Sequence, residues 1–86
     1  MIQVGFTRVF TKKFNALEVD LRSEVVEKMA LFADIANHQQ LKVHKLHGKF
    51  SNYFSFSVNY KIRVVFKYTN KKQVICVDVG DHEVYK

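Results

Sequence analysis

The stretch YFSFSV (53–58) alternates without a break. Phe54, Phe56 and Val58 fall on one side and Tyr53, Ser55 and Ser57 on the other, the two-residue period of a half-buried strand. KIRVVFKY (61–68) repeats the pattern, with Ile62, Val64, Phe66 and Tyr68 inward and Lys61, Arg63, Val65 and Lys67 outward. Asn59-Tyr60 between them reads as a tight hairpin turn, and TNKK (69–72) as the next turn. QVICVDV (73–79) is a nearly continuous apolar run, as a central strand requires. Gly80 ends it, and DHEVYK closes the chain as a short tail.

Upstream the period changes. IQVGFTRVF (2–10) alternates loosely and predicts an opening strand. Phe10, Phe14 and Leu17 then lie at helical spacing, which predicts a helix starting at Thr11. Asp20 is placed as the N-cap of a second, longer helix, DLRSEVVEKMALFADIANHQQ, with Glu24 near the favourable end of its dipole. Leu21, Val25, Met29, Phe32 and Ile35 or Ala36 form one apolar stripe, a core face. Asn37 and His38 close that helix. Gln39–Asn52 is polar and basic, an irregular strand or loop anchored by Leu41, Val43, Leu46 and Phe50.

The element order is strand, helix, helix, strand, strand, strand. It predicts an α+β domain over 1–86, a small antiparallel sheet with the two N-terminal helices packed on one face. At 86 residues a single domain is expected. A hydrophobic content of 48% argues for a packed core rather than disorder. The single cysteine, Cys76, forbids an internal disulfide and sits in an apolar strand, so a reducing, cytoplasmic setting is expected. No apolar run approaches a bilayer span, and no secretory signal pattern opens the chain.

Charge adds what periodicity does not. The net charge is +6. Residues 1–34 balance five bases against five acids, whereas Ile35–Val77 holds no Asp or Glu. That stretch carries Lys42, Lys45, Lys49, Lys61, Arg63, Lys67, Lys71 and Lys72 with three of the four histidines. A one-signed block of this size concentrates polyanions, nucleic acid above all. Its alternative is a solvated basic surface without a ligand. If the helices cover the face of Phe54, Phe56, Ile62, Val64 and Phe66, the opposite face presents Tyr53, Ser55, Ser57, Lys61, Arg63 and Lys67. Cationic donors beside an aromatic ring suit a phosphate backbone with an unstacked base. HKLHGKF (44–50) adds His44, Lys45, His47 and Lys49 as a rim, with Gly48 letting the chain turn and Leu46 anchoring it.

No metal site is expected. There is no CxxC and no HExxH, and the acid-free stretch lacks the carboxylates of two-metal nucleases. Cofactor-free acid–base chemistry remains. RNA supplies its own nucleophile, the 2′-hydroxyl. The protein need only remove that proton, stabilise charge on the phosphorane and protonate the leaving oxygen. His44, His47, Arg63 and His82 are the groups available for this, and Tyr85 for stacking on a base.

The segments HKLHGKFSNYFSFSV, KIRVVF and VGDHEVYK, in this order and at this length, resemble the RelE/ParE superfamily of bacterial type II toxins. The resemblance implies a cationic groove and a cognate antitoxin that wraps the toxin. It also implies, for the ribosome-dependent RelE/YoeB-like branch, cleavage of mRNA in the ribosomal A site by 2′-hydroxyl attack without metal. Arg63 falls on that branch's transition-state arginine. His82 and Tyr85 fall on its C-terminal acid and base-stacking pair, and His44 near a general base. Lys45, His47, Lys49, Tyr53, Lys61 and Lys67 are the expected RNA contacts. Where one branch places lysines in the strand after the loop, this chain has Phe54 and Phe56. The ParE branch, a DNA gyrase inhibitor on the same fold, and a non-catalytic basic RNA-binding domain are the alternatives.

Overall fold

The structure, a computed structural model, describes residues 1–81. His82 and Tyr85 lie outside the described residues. The described elements are β1 (Gln3–Phe6), α1 (Arg8–Ala16), α2 (Val19–Phe32), β2 (His44–Lys45), β3 (Phe54–Ser57), β4 (Arg63–Asn70) and β5 (Gln73–Gly80). Two 3-10 turns, Ile35–Asn37 and Gly48–Phe50, flank β2. The sheet order is β1-β5-β4-β3-β2. All neighbours are antiparallel except β1, which runs parallel to β5. The helices carry the chain from β1 to β2 at the far edge, and three antiparallel steps from β2 bring β5 back beside β1, parallel to it. No described helix is long and apolar enough to cross a membrane.

The first helix starts earlier than the spacing predicts. Thr7, not Thr11, is its N-cap, and its hydroxyl accepts from the Phe10 amide at 3.1 Å. Both threonines precede helix-compatible residues. Thr7 wins because β1 ends at Phe6, and the Thr7 amide donates to Cys76 O at 3.0 Å, fixing extended backbone there. Asp20 is likewise inside α2 rather than capping it. Glu18 holds the cap position without a side-chain bond, and Asp20 sits in the first turn, where its charge complements the dipole. Arg22 donates to the carbonyls of Asn15 and Leu17, closing the α1–α2 corner.

The helix also ends earlier than its apolar stripe. α2 stops at Phe32, and the following turn folds back to cap it. Asn37 Nδ2 donates to Leu31 O at 2.9 Å and His38 Nε2 to Phe32 O at 2.8 Å. The His38 ring stacks on Phe32 with centroids 4.7 Å apart. Phe32 is fully buried and also stacks on Phe56 and meets Phe66 edge-on. Phe10, Phe14, Leu21, Val25 and Met29 from the helices join Val64, Val74, Cys76 and Val79 from the sheet in one cluster. The helices therefore cover one sheet face only.

Candidate RNA-binding cleft

Strand registers place the remaining side chains. Ser57 pairs with Arg63 and Arg63 with Gly80; His44 pairs with Ser55, Ser55 with Val65 and Val65 with Asp78. Partners across a ladder share a face. His44, Ser57, Arg63 and Lys67 thus lie on the face away from the helices. Tyr53 shares it, since its carbonyl accepts from the Leu46 amide and the Lys67 ammonium sits 5.8 Å from its ring. Four residues along β4 separate Arg63 from Lys67 by about 13 Å. Two strands and one pleat separate the Cα atoms of His44 and Arg63 by about 12 Å, a gap their side chains can narrow from both ends.

Arg63 is held where the β3–β4 hairpin narrows. One Nη1 donates to Ser57 Oγ at 3.2 Å and to the Asn59 carbonyl at 3.1 Å. Asn59 builds that hairpin. Its Oδ1 accepts from the amides of Lys61 (2.8 Å) and Ile62 (2.7 Å), an Asx turn in place of a two-residue hairpin turn. Its Nδ2 donates to Glu24 Oε2 of α2 at 3.1 Å. A side chain outside the candidate set thus ties the arginine's anchor to the helix layer. The Asn following a strand was its sequence signal.

His44 is exposed, and its Nδ1 lies 2.8 Å from Lys42 O. A carbonyl can only accept, so Nδ1 carries the proton and neutral His44 presents Nε2 as a proton acceptor. Lys42, with φ 58°, lines an open cleft of about 420 Å³ together with Arg63, Ser57, Asn59, Tyr60 and Lys28. Arg63 lines this cleft, with Lys28 and Leu31 of α2 on its other side; His44 does not line it and meets it only through the bond to the Lys42 carbonyl.

The other candidates are placed as follows. Lys49 leans over the Phe50 ring at 5.5 Å, and Phe50 meets Tyr53 edge-on at 6.3 Å, so Lys49, Tyr53 and Lys67 form an aromatic–cation group at the end of the strands opposite Arg63. Gly48, with φ +69°, starts the turn that brings Lys49 there. His47 is exposed just before that turn, and Lys61 is exposed on the hairpin. Lys45 does not join His44. It pairs with Phe54 and so falls on the helix-side face of the edge strand.

Two residues expected to face solvent do not. Ser55 and Val65 have relative exposures of 0% and 2%. Val65 is central in the sheet, with Arg63 and Lys67 beside it along β4 and Ser55 and Asp78 across from it. Asp78, on this face, is ion-paired with Lys13 of α1 at 2.8 Å, so the helix layer reaches its edge. Leu46 is buried too, but outside the helix-side cluster, so its anchor is this second face rather than the main core. The Ser55 hydroxyl has no hydrogen-bond partner. Burial pushes the Cys76 thiol up to about 12, which keeps it a protonated core group rather than a nucleophile. Among the described residues no three His, Cys, Asp or Glu side chains cluster for a metal.

The fold is shared with solved toxin and toxin–antitoxin structures. No family model matches the chain, and no curated protein sequence does. Solved structures do match along nearly its whole length. YafQ from E. coli superposes with a TM-score of 0.79 at 13% identity, covering 99% of this chain and 98% of that one. The toxin–antitoxin complex RelBE2 from Mycobacterium tuberculosis gives 0.75 at 18% identity, covering 94% and 98%. The YoeB–YefM toxin–antitoxin complex from Staphylococcus aureus gives 0.72 at 13%, covering 95% and 98%. At such identities the likeness is one of fold.

Proposed function

We propose that this chain is the toxin of a type II toxin–antitoxin pair and a ribosome-dependent mRNA endonuclease. The observation that carries the reading is the Arg63 site. Its guanidinium is fixed by Ser57 and Asn59, on the sheet face that carries His44 with Nε2 as proton acceptor. In this reading Nε2 of His44 takes the proton of a ribose 2′-hydroxyl. The 2′-oxygen attacks the adjacent phosphorus, and Arg63 stabilises the charge that builds on the phosphoryl oxygens. The P–O5′ bond breaks, and the 5′-oxygen leaves with a proton from His82, the acid proposed from sequence. The products are a 2′,3′-cyclic phosphate and a 5′-hydroxyl. Lys67, Tyr53 and Lys49 extend the binding surface along the strand.

The fold-level likeness to proteins solved with RelB- and YefM-type partners supports a cognate antitoxin. The net charge of +6 suits an acidic or amphipathic segment that folds on contact. The test is expression of the chain alone in a bacterial host, with mRNA ends and plasmid supercoiling followed together. Cleaved messages carrying cyclic phosphate ends, with supercoiling intact, are expected. Loss of supercoiling with DNA breaks and intact mRNA would assign the fold to a gyrase-directed inhibitor instead.

A further inference from the structure

The Arg63 cleft has a second wall that the reaction above does not use. Tyr60 stands on it at the tip of the β3–β4 hairpin, 93% exposed, and Lys42 stands beside it. Lys42 occupies the left-handed region at φ 58°, where glycine or asparagine is the usual residue. Three backbone bonds hold it there: Lys42 N to Gln39 O, Val43 N to His38 O, and Ser57 N to Leu41 O. A cationic residue is thus kept at a strained position in the wall of the same cleft as Arg63. Lys28 contributes a third cation, partly shared with Glu27 at 3.7 Å.

We propose that Tyr60 and Lys42 form a nucleotide subsite beside the scissile position, Tyr60 stacking one base of single-stranded RNA and Lys42 holding its phosphate. The inference rests on the endonuclease reading and adds to it the residues that seat the neighbouring nucleotide. An exposed aromatic ring next to two or three cations matches how single strands are gripped without base-edge contacts. The cleft, at about 420 Å³, lies within the size range of small-ligand sites. Asn59 sets the distance between the ring and Arg63, because it closes the turn carrying one and accepts from the other.

The chain has no tryptophan, so Tyr60→Trp introduces a single indole reporter. The probe is a short 2′-O-methylated single-stranded RNA, which cannot be cleaved, with saturation followed independently by its own label. Indole emission is expected to be quenched as the oligonucleotide saturates, and Lys42→Ala in that background to weaken binding about tenfold. In ribosome-programmed cleavage, Tyr60→Ala is expected to raise KM about tenfold, the order of one lost base stack, with kcat within twofold. Tyr60→Phe is expected to restore KM. Unchanged emission at saturation, or an unchanged KM for Tyr60→Ala while cleavage still requires Arg63, overturns the subsite and leaves the nuclease reading standing. Quenching by an acidic peptide but not by RNA overturns it in favour of a protein ligand. Full cleavage by Arg63→Ala would overturn the underlying reading itself.

Discussion

Asn59→Ala removes the side chain that builds the β3–β4 turn. The Ile62 amide, on a residue only 5% exposed, loses its 2.7 Å acceptor. Leaving such a donor unsatisfied costs about 1–3 kcal/mol. The Lys61 amide is exposed and finds water, so its loss adds about 0.5 kcal/mol or less. The bond to the Glu24 carboxylate is charge-assisted but only partly buried, worth about 0.5–1 kcal/mol. The sum is about 1.5–4.5 kcal/mol, or about 6–36 °C in Tm for a domain of this size. Urea unfolding followed by circular dichroism reads it directly. A reciprocal exchange isolates the link to α2. Asn59→Asp keeps the acceptor for the two amides but sets a carboxylate against Glu24, and Glu24→Gln alone gives up the acceptor charge. Together they swap donor and acceptor, and a coupling of about 1 kcal/mol or more is expected. A loss below about 0.5 kcal/mol for Asn59→Ala, or additive behaviour of the exchange, would refute the assignment of Asn59 as the organiser of the hairpin that carries Arg63.

Three further outcomes follow from single residues. Ser55→Ala removes a buried hydroxyl with no partner and is expected to stabilise the fold by about 1 kcal/mol in the same urea assay. Phe32→Ala empties the centre of the helix–sheet interface and is expected to cost about 3–5 kcal/mol, a large share of the total stability of a domain of this size. Cys76 gives a pH dependence. The unfolded thiol ionises near pH 8.5, while the folded one stays protonated to about 12, so the folded state holds the extra proton between those values. Stability contributed below pH 8.5 is therefore lost as pH rises. Relative to Cys76→Ala, the wild type is expected to lose about 2 kcal/mol between pH 8.5 and 10.5.

The two hairpin strands were legible because their alternation is nearly perfect, but their register was not: a two-residue Asn59-Tyr60 turn would set Ser57 opposite Ile62, whereas the Asn59 Asx turn adds a residue and sets it opposite Arg63. Three other things were not legible, each for a physical reason. Helix starts depended on which threonine the sheet left extended, a tertiary choice between Thr7 and Thr11. β2 is two residues long and is defined only by its bonds to β3, too short for any period to show. The burial of Ser55 and Val65 was not readable because a two-residue period assigns a face but not a depth. For the site, the arginine was visible as a cation in an apolar strand. Its anchors, Asn59 and Ser57, became visible only when the register set them beside it. Lys42 gave no signal, since a positive φ has no period.

The central claim is that Arg63, fixed on the face the helices leave uncovered, stabilises the transition state of RNA cleavage. Single-turnover cleavage of a ribosome-bound message by Arg63→Ala, with folding verified by urea unfolding, tests it most directly. The account predicts a fall of about a hundredfold or more in the cleavage rate with the folded fraction unchanged. A folded Arg63→Ala protein that cuts at the wild-type rate would contradict it.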